Sequence, residues 1–259
     1  MKVLCVINPA SGKSTPILSA FNSFFNENKI EWDIFITGHD GFDCKGYDAV
    51  VIYGGDGTVC EYLDKVDCPV LILQGGTANL IAKDIGIPNK IEDALKILLK
   101  KNIKAFDSFL VNGRKAYLRS YCGPPTRMMK NVQREDKNLL GLAAYLNAII
   151  QGTKFEFTKY QIEIDGQKKE IDTNIFIVSN FAALGLAQIK LDQRIEAADG
   201  KLDLLIMNDP LSLSRKHWKF KKMTVKTDQK ALWSIDDSFE EFDHVTFEVV
   251  PKDYKLFLP

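Results

Sequence analysis

Short apolar runs rich in β-branched residues alternate with helical patterns over the first hundred positions. Val3–Ile7, Trp32–Thr37, Ala49–Tyr53 and Val70–Leu73 read as buried strands. Pro16–Asn28 carries apolar residues at helical spacing, Val59–Leu63 is a short helix, Asn79–Asp84 starts another, and Ile91–Lys100 is amphipathic. Such alternation predicts an α/β unit with a mostly parallel sheet and helices on both faces. The link from Thr37 to Tyr47 is polar and glycine-bearing. It is too short for a crossover helix, so one sheet face is expected to be less covered, and a homodimer contact is one way to cover it.

From about Phe106 the pattern changes to strands: Asp107–Val111, Ala116–Tyr121, Phe155–Ile164, Asn174–Ser179, Leu202–Met207, Met223–Thr227, Ala231–Ser234, Val245–Val250 and Tyr254–Leu258. Asn112-Gly113 and Asp165-Gly166 mark hairpin turns between them. One apolar helix, Leu139–Ile150, interrupts the series. The expected architecture is an α/β domain over 1–106, with residues 251–259 returning to it, and an antiparallel β-rich, sandwich-like domain over 107–250.

Composition narrows the classes of function. The chain has 259 residues with 34 basic and 34 acidic side chains, so nothing draws it as a whole to nucleic acid, and no nucleic-acid partner is expected. No apolar run reaches the roughly 18–20 residues that span a bilayer. Cys5, Cys44, Cys60, Cys68 and Cys122 match no zinc spacing. Reduced thiols in a cytoplasmic protein are the simple reading. His39, His217 and His244 pair with no nucleophile motif, which argues against hydrolase chemistry.

Three glycine-bearing loops follow three of the strands. Asn8-Pro9-Ala10-Ser11-Gly12-Lys13-Ser14 ends like a P-loop, but Ile7 stands where a Walker loop needs its first glycine. Gly54-Gly55-Asp56-Gly57-Thr58 and Gln74-Gly75-Gly76-Thr77-Ala78-Asn79 are the other two. Parallel strands bring such loops to one edge of the sheet, where open α/β folds bind ligands. Backbone N–H groups unshielded by Cβ atoms suit an anion there. The pattern therefore predicts a phosphate site with the Asp56 carboxylate beside it.

These loops resemble those of the diacylglycerol kinase catalytic domain, shared by bacterial diacylglycerol kinases, sphingosine kinases and ceramide kinases. The similarity rests on Asn8-Pro9-x-Ser11-Gly12, Gly54-Gly55-Asp56-Gly57-Thr58-Val59-x-Glu61, Gly75-Gly76-Thr77-Ala78-Asn79-Leu80-Ile81-Ala82 with Gly86-Ile87-Pro88, and Ala198-Asp199-Gly200-Lys201-Leu202-Asp203. The resemblance implies an ATP-dependent lipid kinase acting on a diacylglycerol, sphingoid or ceramide-like hydroxyl in a cleft between the domains. It implies that Asn8, Pro9, Ser11 and Gly12, then Gly54, Gly55, Asp56, Gly57, Thr58 and Glu61, then Gly76 and Asn79 hold ATP, with Thr37 and Thr77 lending hydroxyls. Asp56 would act near the γ-phosphate, through Mg2+ or on the substrate hydroxyl. Asp199, with the carbonyls of Glu196 and Lys201, resembles the family's structural Mg2+ site; an ordinary Asp-Gly turn is the alternative.

One departure bears on catalysis. Many members carry Asp-Gly-Glu near the C-terminus, with the Glu proposed as base, whereas this chain has Asp236-Asp237-Ser238. Three readings stand: Asp56 is the base; Asp236, Asp237 or Glu240 reaches the site; or the chain is an inactive relative that binds nucleotide or lipid. Gln74 and Cys60 also depart from the family pattern, beside the expected nucleotide pocket. The Gly-Gly-Asp-Gly-Thr element is shared with NAD kinases, the alternative phosphotransferase. The run Arg215-Lys216-His217-Trp218-Lys219-Phe220-Lys221-Lys222 mixes cations with aromatics, and Arg127-Met128-Met129-Lys130 is a second such stretch. Both are candidates for peripheral contact with an anionic membrane, against the plainer reading of a solvated basic segment.

Overall fold

The computed structural model describes residues 1–12, 14–123, 126, 157–184, 189–208 and 216–259. The expected helix 139–150 and the stretch 127–130 lie outside the described residues. The chain divides into two units, Met1–Phe106 with Lys252–Pro259, and Asp107–Pro251.

The first unit runs β1 (Lys2–Ile7), α1 (Ser14–Glu27), β2 (Glu31–Ile36), β3 (Ala49–Gly54), α2 (Asp56–Leu63), β4 (Val70–Gln74), α3 (Leu80–Asp84), α4 (Ile91–Leu95) and α5 (Ile97–Lys100). The strands are parallel in the order β4-β3-β1-β2, and Leu256 near the C-terminus pairs with Val70 on the outer side of β4. Every residue of β3 is buried, which explains its continuous β-branched run. Register sets the ends level: Ile7 lies opposite Ile36 and Tyr53, and Gly54 opposite Gln74. The loops after β1, β3 and β4 therefore leave from one edge. Phe25 of α1 stacks on Trp32 at 5.2 Å and Phe21 meets it edge-on at 6.1 Å, fixing that helix to the sheet.

One feature departs from the sequence reading and one agrees with it. The amphipathic segment 91–100 is two short helices, broken at Lys96, not one. Residues 37–48 contain no helix, and β2 is largely exposed, with Ile34 retaining 44% of its accessible surface.

In the second unit the strands are β5 (Ile103–Val111, its first residues counted with the first unit), β6 (Arg114–Ala116), β7 (Arg119–Cys122), β8 (Thr158–Ile164), β9 (Gln167–Thr173), β10 (Ile175–Ser179), β11 (Ala183–Leu184), β12 (Ile189–Lys190), β13 (Leu202–Met207), β14 (Lys216–Phe220), β15 (Lys222–Ile235) and β16 (Ser238–Phe257). Antiparallel neighbours follow β14-β13-β10-β7-β15-β16. Strand β15 pairs with β8 through Met223–Thr227 and with β7 through Trp233–Ile235, and its register against β16 shifts between Lys226 and Ala231. A strand that changes partners across an irregularity turns the sheet on itself. The core so enclosed centres on Trp233, which meets Phe176 at 5.5 Å, Phe247 at 5.7 Å and Tyr160 at 6.3 Å. The expected hairpin turns form at Asn112-Gly113 and Asp165-Gly166, where all four residues have positive φ.

Trp233 joins the two faces of that core and is fully buried. Trp233→Ala is expected to cost about 3–5 kcal/mol of stability, read from the urea midpoint; a loss below about 1 kcal/mol would contradict this account of the core.

Candidate functional site

Three loops are tied together at the sheet edge of the first unit. In the first, the Asn8 N–H donates to the Tyr53 carbonyl at 3.0 Å, and the Asn8 Oδ1 accepts the Ala10 N–H at 3.0 Å. The side-chain Nδ2 of Asn8 then donates to Thr58 Oγ1 at 2.7 Å, joining the first loop to the second. Gly12 adopts φ +58°, and a Cβ there would fall 2.1 Å from the Tyr53 hydroxyl oxygen, so only glycine fits.

The second and third loops lie backbone against backbone. The Gly75 N–H donates to the Gly54 carbonyl at 3.0 Å. A Cβ on Gly76 would stand 2.4 Å from the Gly55 Cα. The glycines are thus required first for this close approach of the loops to each other. Asp56 completes the join: its Oδ2 accepts the Leu80 N–H at 2.9 Å and its Oδ1 the Ile81 N–H at 3.1 Å. A carboxylate at the start of a helix satisfies N–H groups that have no partner within the helix. Asn79, at φ +50° and only 7% exposed, closes the third loop on itself: Oδ1 accepts the Gly76 N–H at 2.8 Å and Nδ2 donates to the Gly76 carbonyl at 2.6 Å.

The two helix starts at this edge therefore differ. Asp56 caps α3, while Gly55 at the start of α2 supplies no side chain. The positive end of a helix dipole with bare N–H groups favours an anion. Asn8, Gly54, Gly55, Asp56, Gly57, Thr58, Gly76 and Asn79 are brought together here. Pro9 and Thr77 are exposed beside them and Ser11 is buried. The Thr37 N–H donates to the Ile7 carbonyl at 2.9 Å, placing Thr37 at the same strand edge. Glu61 faces outward and pairs with Lys65 at 2.9 Å, one turn on along α2. The sequence reading overlooked Tyr53, whose hydroxyl fills the space beneath Gly12; an aromatic at a strand end carries no short-range signal of that contact.

Comparison with known proteins shows what the chain is similar to. The sequence model of the diacylglycerol kinase catalytic domain matches residues 2–111. Over those residues the chain is similar to that family. A Staphylococcus aureus protein named "Putative lipid kinase" is 24% identical over 240 residues, covering 82% of this chain and 77% of that protein. An uncharacterised protein of Synechocystis is 29% identical over 175 residues, covering 66% of this chain but only 40% of its own length. A structure described as "a putative diacylglycerol kinase from Bacillus anthracis" superposes with TM-score 0.83 at 22% identity, over 100% of this chain and 97% of the other. An Archaeoglobus fulgidus NAD kinase in complex with ATP superposes with TM-score 0.58 at 18% identity, over 99% and 93%. The fold is that of diacylglycerol kinases and NAD kinases.

The remaining family-derived positions lie in the second unit. Asp237 is exposed in the turn between β15 and β16, and the hydroxyl of Ser238, at the position of the diacylglycerol kinase Glu, donates to the Ile235 carbonyl at 2.9 Å. Asp236 accepts three main-chain N–H groups, from Tyr117 at 2.8 Å, Leu118 at 3.0 Å and Arg119 at 2.9 Å. Glu240 pairs with Arg114 at 2.6 Å.

The expected Mg2+ ligands do not fit a metal. Asp199 has Lys219 Nζ 2.5 Å from its Oδ2 and the Lys201 N–H 3.0 Å from its Oδ1, and the described residues contain no metal-ligating cluster. Magnesium demands near-octahedral oxygen ligation at about 2.0–2.1 Å, and here the single carboxylate of the set is paired with an ammonium. Glu196 and Lys201 are exposed.

The basic-aromatic run, described from Lys216 onward, is partly built into the second unit. Phe220 is core, at 1% exposure, and Trp218 packs against the same cluster with Lys169 Nζ 5.6 Å from its ring centre. His217 Nε2 lies 2.5 Å from Asp203, whose carboxyl burial pushes up to about 6, and Lys222 pairs with Glu248 at 2.9 Å. Antiparallel pairing put alternate residues inside and neighbouring carboxylates against the cations. No helix among the described residues is long and apolar enough to cross a membrane.

Gly76→Ala is expected to push the second and third loops apart and cost about 1–3 kcal/mol. Asp56→Ala, which strips the acceptors from two N–H groups, should cost about 1–2 kcal/mol. Thermal or urea unfolding of the two variants measures both; wild-type stability in Gly76→Ala would show that the loops do not touch.

Proposed function

We propose that this chain transfers the γ-phosphoryl group of ATP to the hydroxyl of a lipid of the diacylglycerol, sphingoid or ceramide type. The observation that carries this reading is the joining of three loops at one sheet edge, within residues matched by the diacylglycerol kinase family. Phosphoryl transfer needs positioning and neutralisation of charge above all. Main-chain N–H groups of the second and third loops and the start of α2 supply positive potential for the nucleotide phosphates. Mg2+ carried by the nucleotide would supply neutralisation of phosphate charge, and Asp56 would be the carboxylate beside it. The lipid oxygen bonds to the γ-phosphorus as its bond to the β–γ bridging oxygen breaks, ADP leaves, and the hydroxyl proton passes to a base.

Asp56 is the group we assign to that proton or to the Mg2+-bound phosphates. Its N–H bonds hold the carboxylate fixed at the loop junction, with one acceptor bond made by each oxygen. A carboxyl that accepts two N–H bonds from one helix start is fixed in position and direction. The second reading is a chain that binds nucleotide or lipid without transfer; it is favoured by Ser238, whose hydroxyl is bonded to Ile235 and is no base.

The test is labelled ATP with Mg2+ and a panel of diacylglycerol, sphingosine, ceramide and a polyprenol, with NAD as a further acceptor. Label in one lipid, reduced at least about 100-fold in folded Asp56→Asn, is the expected result. No labelled lipid would favour the binding-only reading, and label in NAD would replace the lipid assignment.

A further inference from the structure

The loop running from Ile195 to Leu202 in the second unit is fastened by groups of the chain itself. The Asp107 N–H donates to the Ala197 carbonyl at 2.9 Å, and the buried Asp107 carboxylate accepts the Gly200 N–H at 2.7 Å. Asp199 accepts the Lys201 N–H at 3.0 Å. The fourth fastening is ionic. Asp203 of β13 lies opposite Lys219 of β14, and this register delivers the Lys219 ammonium to Asp199 Oδ2 at 2.5 Å. The pair lies at the surface, with 26% of the Lys219 side chain and 22% of the Asp199 side chain exposed.

We propose that the Lys219 ammonium takes the place at Asp199 that the family resemblance gives to a divalent cation, so that this loop is held without a metal. A metal at that carboxylate would have to displace the ammonium or sit against a like charge, and the geometry gives it one carboxylate ligand. The four internal fastenings already do the work of such an ion: they fix the loop backbone, neutralise Asp199, and tie both to Asp107 and to β14. This inference concerns the second unit alone and does not rest on the lipid-kinase reading.

The nucleotide-free full-length protein tests it. After treatment with EDTA, the melting temperature is measured with and without millimolar Mg2+, and Mn2+ binding is titrated by electron paramagnetic resonance. The wild type is expected to show no Mg2+-dependent shift and no bound Mn2+. Lys219→Met is expected to melt lower and to regain at least about 2 °C with Mg2+, as the vacated Asp199 accepts the ion. A wild-type melting temperature that rises with Mg2+, with the rise and one bound Mn2+ both lost in Asp199→Asn, would overturn the proposal. That comparison decides even if Lys219→Met does not fold.

Discussion

The Asp56 carboxylate, held by the first two N–H groups of α3, is the interaction on which the candidate site depends. Asp56 opens α2, so a single side chain fixes the start of one helix against the start of the next. That junction lets Gly55 and Gly76 meet backbone to backbone, at a distance no Cβ would tolerate. The Asn8 amide, bonded to Thr58 one turn into α2, brings in the first loop. The parallel sheet makes the loops neighbours, but these bonds turn neighbours into one joined surface.

The same device recurs in the second unit. Asp236 accepts N–H groups from three successive residues, 117–119, and Asp107 accepts that of Gly200. In each case an aspartate fastens a segment far away in sequence, and the N–H bonds it accepts fix the carboxylate in direction. An aspartate held by main-chain N–H groups is therefore not by itself a sign of metal or proton chemistry. Asp56 differs from the other two in standing among glycine loops at the ligand-binding edge of a parallel sheet.

How much of this was legible in the sequence depended on the range of the interaction. Strands such as Leu202–Met207 are apolar at every position but Asp203 and buried throughout, so pattern alone located them. Strand β9, Gln167–Thr173, is polar and mostly exposed, and its pairing with β8 rather than its composition makes it a strand. The long β16 read as two strands because Pro251 interrupts it, with Lys252 at φ +55°. The glycine loops were visible, but the reason for the glycines was only half visible: close approach to an anion was inferred, and close approach of loop to loop was found. Lys219 and Asp199 are 20 residues apart and meet only through the β13–β14 register, so no spacing rule could have paired them.

The central claim is that the three joined loops are the nucleotide-phosphate site, and hydrogen–deuterium exchange with and without ATP and Mg2+ tests it most directly. The account predicts slowed exchange in residues 8–12, 54–58 and 74–80, with the strands of the second unit unchanged. Unchanged exchange in those loops, at ATP concentrations that protect amides elsewhere in the chain, would contradict it.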